Sequence, residues 1–390
     1  MKQLLYISAL VSEKKVDEEF KRTGKNPGFA IQKFSRLLVR GIHSNGVKVV
    51  TLSPNIRDTK GYVRSSVEIE DDIVYKYIPY YNVPFIKHIC VCIYTFIYVL
   101  RWGSVNKEDK IIICDVLSVS ACLGALLASK INRIKSVAIV TDIYGLMVNG
   151  QQSFLSRAGK RINAFYVNSF NKYILLTEQM NEIVNLKRRP YIIMEALCDS
   201  TIIPVTMVSK SHPRTIIYAG GIHEKYGVRM LTEGFLKADI EDAKLVLYGS
   251  GPYVDEFKCL CDKYSNLEYR GVAANDVVVS EELKATLLVN PRLTKEELTK
   301  YSFPSKNMEY MASGTPLLTT RLPGMPREYY PFVFLFEEET IDGYADAIRS
   351  ALSYSEEDLR SFGFRARQFV LQNKNNIYQG NRVVSFIFSN

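Results

Sequence analysis

Two glycine-rich loops follow apolar runs in the second half of the sequence. Gly220 and Gly221 come directly after the run Thr215–Ala219, and Gly249 and Gly251 follow the next apolar run along the chain. Glycine lets the backbone approach a ligand closely, and the N-terminus of a helix after such a loop favours an anion. A glycine pair is also what a simple tight turn requires. Two such loops after successive predicted strands favour a phosphate or nucleotide site.

A third cluster adds positive charge. Arg292 follows an apolar run, and Lys306 lies at the start of a predicted helix, Lys306–Ser313. Ser305 is a candidate N-cap, so the first helical amides and the Lys306 ammonium are expected to face a bound anion. Arg292 can add a bidentate contact to phosphate. Glu309 lies about one turn into the helix, where it can accept hydrogen bonds from a ribose diol or be an ordinary surface glutamate.

The scaffold that must position these residues is predicted from the alternation of apolar runs with helical patterns. Continuous apolar strands separated by helices indicate parallel sheets that are covered on both faces. The sequence therefore predicts an α/β fold of two tandem Rossmann-like, doubly wound domains that face a cleft. We expect a first domain over residues 1–200, a second over 201–372, and a tail, 373–390, that returns to the first domain.

The predicted strands are Gln3–Ala9, Lys48–Ser53, Lys110–Cys114, Ser136–Thr141 and Tyr173–Thr177 in the first half, and Thr215–Ala219, Ala243–Tyr248, Leu267–Tyr269, Ala285–Asn290, Pro316–Thr319 and Phe332–Phe336 in the second. The predicted helices are Phe29–Ser44, Ser118–Lys130, Gln179–Leu186, Val228–Ala238, Tyr253–Tyr264 and Lys306–Ser313.

Positive charge is concentrated in the first half of the chain. The first 200 residues hold 28 Lys and Arg against 17 Asp and Glu, whereas the rest holds 22 against 24. This asymmetry is typical of a surface that faces a membrane, a phosphorylated carrier or nucleic acid, although basic helices can also simply be solvated. Because no nucleic-acid-binding motif accompanies the charge, nucleic acid is not expected as a partner.

One apolar stretch, Ile89–Leu100, is about 12 residues long, too short to span a bilayer. We predict a core helix here. The alternative is docking on a bilayer surface, with Lys87, His88 and Arg101 at its ends.

Taken in order, these segments resemble the GT-B glycosyltransferases, most closely the retaining family 4 in the branch that builds bacterial capsular and exopolysaccharides. The likeness is strongest over residues 214–336 and most specific at Phe303–Pro316. In the first half, Gly28 and the helix Phe29–Ser44 are similar to the family's first loop and helix. The other matching segments are Tyr218–Gly227, Leu245–Pro252, Arg270-Gly271, Asn290–Arg292 and Pro323–Tyr329.

The resemblance assigns roles by position. Glu309 matches the second glutamate of a paired motif and would hold the nucleotide ribose. Asp142 matches a polar position beside the acceptor and donor sugar, although it could equally cap the segment 144–148. Further implied nucleotide contacts are the loop residues Gly249 and Gly251, the strand end at Gly271 and Val272, and Gly314 and Thr315 at the far end of the motif helix.

The sequence also departs from the family pattern. The first glutamate of the pair should fall near Tyr301 or Ser302, and neither residue is acidic. The usual phosphate-binding arginine and lysine of the first glycine loop align with Gly221 and Tyr226, and Lys225 is one position away. Lys306 and Arg292 are therefore expected to supply the missing charge.

The reaction implied is transfer of a hexosyl unit, with retention, from a UDP- or GDP-sugar to a glycan or polyprenyl-diphosphate-linked acceptor. Lys306 and Arg292 would stabilise the leaving diphosphate, and Asp142 is the third catalytic candidate. No metal or other cofactor is expected, because Asp71-Asp72 is the nearest approach to a metal motif and is predicted to lie in a solvated turn. The expected location is the cytoplasm, and peripheral contact with the anionic inner face of the membrane stays open.

Two other functions stay open. A sugar-nucleotide epimerase or hydrolase on the same fold would need well-placed acid and base residues, and the four histidines offer little. A non-catalytic nucleotide-binding module is the second alternative, and the missing first glutamate favours it.

Overall fold

The computed structural model describes residues 1–24, 29–55, 61–105, 109–143, 165–201 and 208–389. The chain divides into two compact units. The first unit comprises Met1–Leu197 with Asn375–Asn390, and the second comprises Cys198–Lys374.

In chain order, the described strands are β1 Gln3–Ile7, β2 Lys48–Pro54, β3 Tyr62–Val63, β4 Ser66–Glu70, β5 Ile73–Ile78, β6 Tyr80–Tyr81, β7 Lys110–Asp115, β8 Lys135–Val140, β9 Lys172–Leu175, β10 Tyr191–Ile193, β11 Arg214–Ala219, β12 Ala243–Tyr248, β13 Leu267–Tyr269, β14 Leu287–Asn290, β15 Leu317–Thr320 and β16 Phe334–Phe336. The described α-helices are α1 Glu13–Thr23, α2 Phe29–Ser44, α3 Ile86–Ser104, α4 Val119–Ile131, α5 Glu178–Val184, α6 Val228–Ala238, α7 Val254–Cys261, α8 Asn275–Lys284, α9 Ser305–Ser313, α10 Ile341–Leu352, α11 Glu356–Asn373 and α12 Asn376–Phe388. Short 3-10 helices occupy Glu224–Tyr226, Glu297–Lys300 and Arg327–Phe332.

The first unit is built on an eight-stranded sheet in the order β10-β9-β8-β7-β1-β2-β5-β4. All neighbours pair in parallel except β4, which is antiparallel to β5. The central strands have almost no exposed side chains; Leu4, Tyr6 and Ile113 are all fully buried. Burial on both faces explains why these strands are apolar throughout rather than alternating. The predicted α/β fold with parallel sheets is confirmed.

The second unit contains a six-stranded, wholly parallel sheet in the order β13-β12-β11-β14-β15-β16. Because the strands are parallel, the loops after β11, β12 and β14 leave the sheet at the same edge. The predicted bounds of Ala243–Tyr248 and Leu267–Tyr269 match β12 and β13, whereas β14 starts two residues later than predicted.

The last helix, α12, packs on α2 in the first unit through two glycines. A Cβ atom on Gly41 would lie 1.9 Å from the carbonyl oxygen of Asn376, and one on Gly380 would lie 2.3 Å from the carbonyl carbon of Gly41. The close approach buries Val383 and Ile387 completely in the core of the first unit.

The structure corrects the prediction for the apolar stretch Ile89–Leu100. The helix there, α3, has 19 residues and is about 29 Å long at 1.5 Å per residue. Only one side of it is buried, at Val91, Thr95 and Val99, while Ile89 is 59% exposed. The core-helix prediction was wrong in burial. The helix is also longer than the apolar stretch, because it begins at Ile86 and continues to Ser104.

The glycine contact between α2 and α12 predicts a large effect of one substitution. We expect Gly380→Leu to lower the free energy of unfolding by roughly 1–3 kcal/mol, because the added side chain forces the two helices apart. Urea denaturation of the full chain measures the change. Ser385→Ala, on the exposed side of the same helix, is the matched control and should change the stability little. Equal stability of Gly380→Leu and the wild type would contradict the helix contact.

Candidate functional site

The two glycine loops of the second unit lie in direct backbone contact. The Gly220 amide donates to the Tyr248 carbonyl at 3.0 Å, and the Ile222 amide donates to the Ser250 carbonyl at 2.9 Å. A Cβ atom on Gly249 would lie 1.9 Å from the Gly220 carbonyl oxygen. The loops after β11 and β12 can therefore meet only where glycine stands.

A third loop joins this pair at the end of β13. The Gly249 amide donates to the Gly271 carbonyl at 2.8 Å, and both glycines have positive φ, +129° and +72°. Arg270 is held by Glu268 and Glu281. Val272 is 76% exposed. The backbone at Gly271 thus belongs to the loop cluster, while the Val272 side chain points into solvent.

A cavity of about 70 Å³ lies at the end of β11. Arg292 and Lys306, the two cations predicted to contact phosphate, both line it. No described residue that lines the cavity is a carboxylate, so the cavity suits an anion. Its other lining residues are Tyr218, Ala219, Gly220, Gly221, Tyr226, Asn290, Pro304, Ser305 and Tyr310.

The start of α9 is displaced by one residue from the prediction. Ser305 was predicted to be the N-cap, but it is the first helical residue, and the N-cap position is Pro304 with extended backbone, φ −66° and ψ 115°. Proline has no amide to lose, and the Asn307 amide donates to the Pro304 carbonyl at 3.0 Å. The Ser305 and Lys306 amides then begin the helix without intrahelical partners, as the first amides of any α-helix do.

The Lys306 ammonium lies between two carboxylates. It is 3.2 Å from Glu309 and 3.7 Å from Glu282. Glu282 is 2% exposed, whereas the Glu309 side chain is 36% exposed. Sequence reasoning missed Glu282, because it stands in the charged run Glu281–Lys284, which resembles an ordinary solvated helix end.

Two tyrosines fix the cavity wall. The Tyr310 hydroxyl accepts a hydrogen bond from the Ala219 amide at 3.0 Å and donates to the Ala219 carbonyl at 3.3 Å. The Tyr218 hydroxyl donates to the Gly221 carbonyl at 2.7 Å. Burial raises the pKa of both phenols, so they remain neutral hydrogen-bonding groups. Both were missed, since a tyrosine in an apolar run is usually part of a core.

Arg292 is positioned by an aromatic ring. Its guanidinium lies 4.9 Å from the centre of the Tyr226 ring, a cation–π distance. Lys225, predicted to contact the nucleotide, is exposed, and its ammonium lies 5.3 Å from the centre of the same Tyr226 ring. Lys225 is not among the described residues that line the cavity.

Gly314 and Thr315 lie at the opposite end of α9 from Ser305. Gly314 ends the helix with a positive φ of +80°. The Thr315 hydroxyl donates to the Glu282 carbonyl at 2.9 Å and accepts from the Lys210 ammonium at 3.1 Å. The structure therefore does not bring Gly314 and Thr315 to the cavity with Lys306.

In the first unit, Asp142 follows β8 at the carboxyl edge of the sheet. Its carboxylate accepts a hydrogen bond from the Ile143 amide at 2.8 Å, and partial burial raises its pKa. Asp115 ends the neighbouring strand β7, and its nearly complete burial raises its pKa to about 6. Sequence reasoning missed Asp115, whose one signal was an acidic residue directly after an apolar strand. Gly28 and the segment 144–148 lie outside the described residues.

The loop after β1 is also ordered by a side chain that sequence reasoning missed. Gln32 on α2 accepts a hydrogen bond from the Val11 amide at 3.0 Å and donates to the Ala9 carbonyl at 2.8 Å.

Asp71 and Asp72 form the turn between β4 and β5, and Asp71 pairs with Arg40 at 2.7 Å. Within the described ranges, no group of three or more His, Cys, Asp and Glu side chains is placed to hold a metal ion.

Comparison with known proteins identifies the second unit. Residues 201–369 match the family described as Glycosyl transferases group 1. This chain is a glycosyltransferase. A search of curated proteins finds no match.

Solved structures match the chain over almost its whole length. They include sucrose-phosphate synthase from Thermosynechococcus elongatus (TM-score 0.65, 13% identity, 100% of this chain and 99% of that one). A second is the lipopolysaccharide outer core galactosyltransferase WaaB (TM-score 0.60, 14% identity, 99% of each chain). A third is HepE of Anabaena in complex with UDP (TM-score 0.61, 12% identity, 99% of each chain). At these identities the likeness shows the fold alone, and that fold is GT-B.

Lys210 gives this glycosyltransferase a pH-dependent stability. Burial lowers its pKa from 10.5 to about 8 in the folded chain, with a smaller contribution in the same direction from Arg360. Between these two values the unfolded chain binds more protons, so the free energy of unfolding should rise with pH. We expect the wild type to gain about 2 kcal/mol relative to Lys210→Met between pH 8 and pH 10.

Urea denaturation at several pH values measures this difference. Lys295→Met, which changes an exposed lysine of the same unit, is the control and should follow the wild type. Parallel stability curves for the wild type and Lys210→Met would show that Lys210 keeps its ordinary pKa.

Proposed function

We propose that this glycosyltransferase moves a hexosyl unit from a UDP- or GDP-sugar to a hydroxyl group of a glycan or lipid-linked acceptor. The observation that carries the proposal is the convergence of Arg292, Lys306 and the start of α9 on the Gly220–Gly221 loop around one cavity. A nucleoside diphosphate leaves in this reaction, and its β-phosphate gains negative charge as the bond to the sugar breaks. Cations and helix amides at that position stabilise the transition state more than the ground state.

The two carboxylates beside Lys306 have different parts in this proposal. Glu282 is buried and orients the ammonium, at 3.7 Å. Glu309 is exposed enough to accept hydrogen bonds from a ribose diol while it stays 3.2 Å from Lys306. The loop backbone at Gly249, Gly251 and Gly271 would then lie along the nucleotide. Gly249 and Gly251 contact the first glycine loop, and Gly271 contacts Gly249.

Retention at the anomeric carbon is proposed from the resemblance to family 4. In a front-face retaining reaction the leaving phosphate can itself take the proton of the attacking hydroxyl, so no general base is assigned. Positioning of donor and acceptor supplies much of the remaining rate enhancement. The positive groups proposed to meet the diphosphate are Arg292, Lys306 and the first amides of α9, and the proposal includes no metal.

The second unit is proposed as the donor domain and the first as the acceptor domain. The first unit carries 29 Lys and Arg against 16 Asp and Glu. That excess suits a polyprenyl-diphosphate carrier and the anionic inner face of the membrane. Asp142 is the acceptor-side candidate, at the carboxyl edge of the sheet, where ligands of such sheets bind.

Synthesis of a bacterial surface polysaccharide, in the cytoplasm, is the biological role that we propose. The lipopolysaccharide galactosyltransferase and the UDP complex among the similar structures support this role and a UDP-sugar donor.

A second candidate function is nucleotide binding without turnover. The positions at which family 4 has its first glutamate hold Tyr301 and Ser302, and the Ser302 hydroxyl donates to the Leu298 carbonyl at 2.9 Å. No carboxylate stands there to hold the donor sugar. Binding of a nucleotide with no consumption of any sugar nucleotide would favour this function, and hydrolysis of a donor without acceptor would favour an epimerase or hydrolase.

The donor proposal predicts selective stabilisation by one nucleoside diphosphate. We expect UDP or GDP to raise the melting temperature equally with and without magnesium, whereas ADP should not. At a hundredfold excess over Kd the added stability is about 2.7 kcal/mol. A thermal-shift panel of the three nucleotides and their common sugar conjugates measures this, and the absence of any shift would contradict the donor site.

Individual contacts predict a graded loss of that binding. We expect Lys306→Ala to weaken nucleoside-diphosphate binding by about ten- to hundredfold, because a charge-assisted phosphate contact is lost. Glu309→Ala should weaken it by about tenfold through the lost ribose contact. Isothermal titration calorimetry measures both. Lys295→Ala and Glu357→Ala remove exposed charges of the same unit and should bind as the wild type does. Unchanged affinity in Glu309→Ala would exclude Glu309 from the site.

A further inference from the structure

The outer side of α3 carries a continuous apolar stripe. We name as the α3 face the residues Phe85, Ile86, Ile89, Ile93 and Ile97, which are between 42% and 82% exposed. From Ile86 onward they are spaced three or four residues apart, so they lie on one side of the helix. Single exposed apolar residues are ordinary, whereas a contiguous exposed stripe marks a site of interaction.

The opposite side of α3 fixes the helix to the first unit. A Cβ atom on Gly124 of α4 would lie 2.2 Å from the Cys92 carbonyl oxygen, so the two helices are in backbone contact. The Asn132 side chain donates to the carbonyls of Val99 and Leu100 at 3.1 and 3.0 Å. By length and composition α3 could cross a membrane. Because α3 is packed in this way, one of its sides is buried in the first unit and the other is exposed to solvent.

The surroundings of the α3 face are basic. Residues 73–105 contain no Asp or Glu but include three cations, Lys76, Lys87 and Arg101. Of these, Lys87 stands beside the stripe, with its ammonium 4.7 Å from the centre of the Tyr80 ring. An apolar stripe with cations at its border fits the interface of an anionic bilayer, where apolar side chains enter the acyl region and cations meet phosphates.

A pocket of about 660 Å³ adjoins the C-terminal half of α3. Its charged lining residues are the cations Lys76, Arg101 and Lys110, and among the described residues that line it there is no carboxylate. Its walls are aromatic and aliphatic. The remaining lining residues are Gln3, Tyr94, Ile97, Tyr98, Trp102 and Val105.

Two of the three pocket cations lie over aromatic rings. The Lys76 ammonium lies 4.5 Å from the centre of the Tyr98 ring. The Lys110 ammonium lies 5.0 Å from the Trp102 ring and donates to the Trp102 carbonyl at 2.6 Å. Cations beside apolar walls suit a ligand with an anionic head and an apolar tail. Ile97 belongs both to the pocket and to the α3 face, so the two surfaces are continuous.

The pocket is separate from the proposed chemistry. It includes Gln3 and Lys110, which begin the paired strands β1 and β7. Asp115 lies at the other end of β7, near the edge at which substrates of such sheets bind. A role in holding the protein at a surface fits this position better than a role in transfer.

We propose that the α3 face docks on an anionic lipid bilayer and that the adjoining pocket receives the phosphate headgroup of one lipid. This inference rests on the peripheral location in the proposed function and not on the donor site. The occupant is a bilayer, because the stripe and the pocket together match both parts of an anionic phospholipid. A second copy of the chain would match the stripe alone.

The only tryptophan in the chain, Trp102, lines the pocket and reports on it directly. We expect its fluorescence to be quenched by vesicles of phosphatidylcholine with brominated phosphatidylglycerol, and far less by brominated phosphatidylcholine alone. Co-sedimentation with the same vesicles should give the matching partition coefficients, which added salt should lower. Equal binding to both vesicles, or binding to neither, would overturn the proposal.

Variants separate the two surfaces. Ile89→Ser with Ile93→Ser should lower the partition coefficient by at least about tenfold, because the stripe no longer enters the acyl region. Arg101→Glu should lower it by about tenfold and reduce the Trp102 quenching. Val277→Ser with Val279→Ser, two exposed valines on α8 of the second unit, is the matched control and should bind vesicles as the wild type does.

Nucleotide binding and self-association complete the test. All variants should keep the thermal shift with UDP or GDP, which shows that the chain is folded. Vesicle binding without any nucleotide shift in the wild type would support docking while contradicting the donor site. Self-association of the wild type that Ile89→Ser with Ile93→Ser abolishes, with vesicle binding unchanged, would assign the α3 face to a second copy and overturn the proposal.

Discussion

The candidate donor site depends on backbone contacts that only glycine permits. A Cβ atom on Gly249 would lie 1.9 Å from the Gly220 carbonyl oxygen, and one on Gly227 would lie 1.8 Å from the Pro291 carbonyl oxygen. The first contact joins the loops of β11 and β12, and the second sets the backbone before Arg292 against the start of α6. Any side chain at these positions would separate the loops. Arg292 can occupy its position because Gly227, on a neighbouring loop, has no Cβ atom.

Charge is arranged on this frame in a balanced way. Lys306 has two carboxylates within 4 Å, and one of them, Glu282, is 2% exposed. A buried carboxylate is costly without a cation, so the Lys306 charge stabilises the folded chain even without ligand. Within the part of the chain that the structure describes, no carboxylate lines the cavity itself. A phosphate can therefore meet Arg292 and Lys306 without displacing an acidic side chain from the cavity.

The parts of this arrangement that could be predicted from the sequence are those with a local signal. The strands β12 and β13 and the helices α2 and α6 have the predicted bounds, since unbroken apolar runs and helical periodicity fix them. The cluster of glycines with Arg292 and Lys306 could be predicted, because loops after parallel strands share one edge of a sheet. The N-cap was misplaced by one residue, since Ser305 has the better capping side chain but Pro304 has the required extended backbone.

What could not be predicted has its cause elsewhere in the fold. Glu282 stands in a sequence that resembles a solvated helix end, and it is buried only because α8 lies beside α9. Asp115 has a raised pKa only because β7 lies inside an eight-stranded sheet. Gly314 and Thr315 follow Glu309 closely in sequence, but the rise of a helix carries them away from its N-terminal end. A local sequence pattern does not show which residues a distant element will bury, or how far along a helix a residue lies from the site.

The same reasoning bears on α3, whose two sides obey different constraints. Val91, Thr95 and Val99 are buried against the rest of the first unit, so the free energy of unfolding depends on them. Ile89, at 59% exposure, contributes little to that free energy. An apolar stripe that the fold does not need is favourable only where something else removes it from water. The cationic pocket continues the stripe at Ile97, so what covers the stripe should also carry negative charge. An anionic bilayer meets both requirements at once.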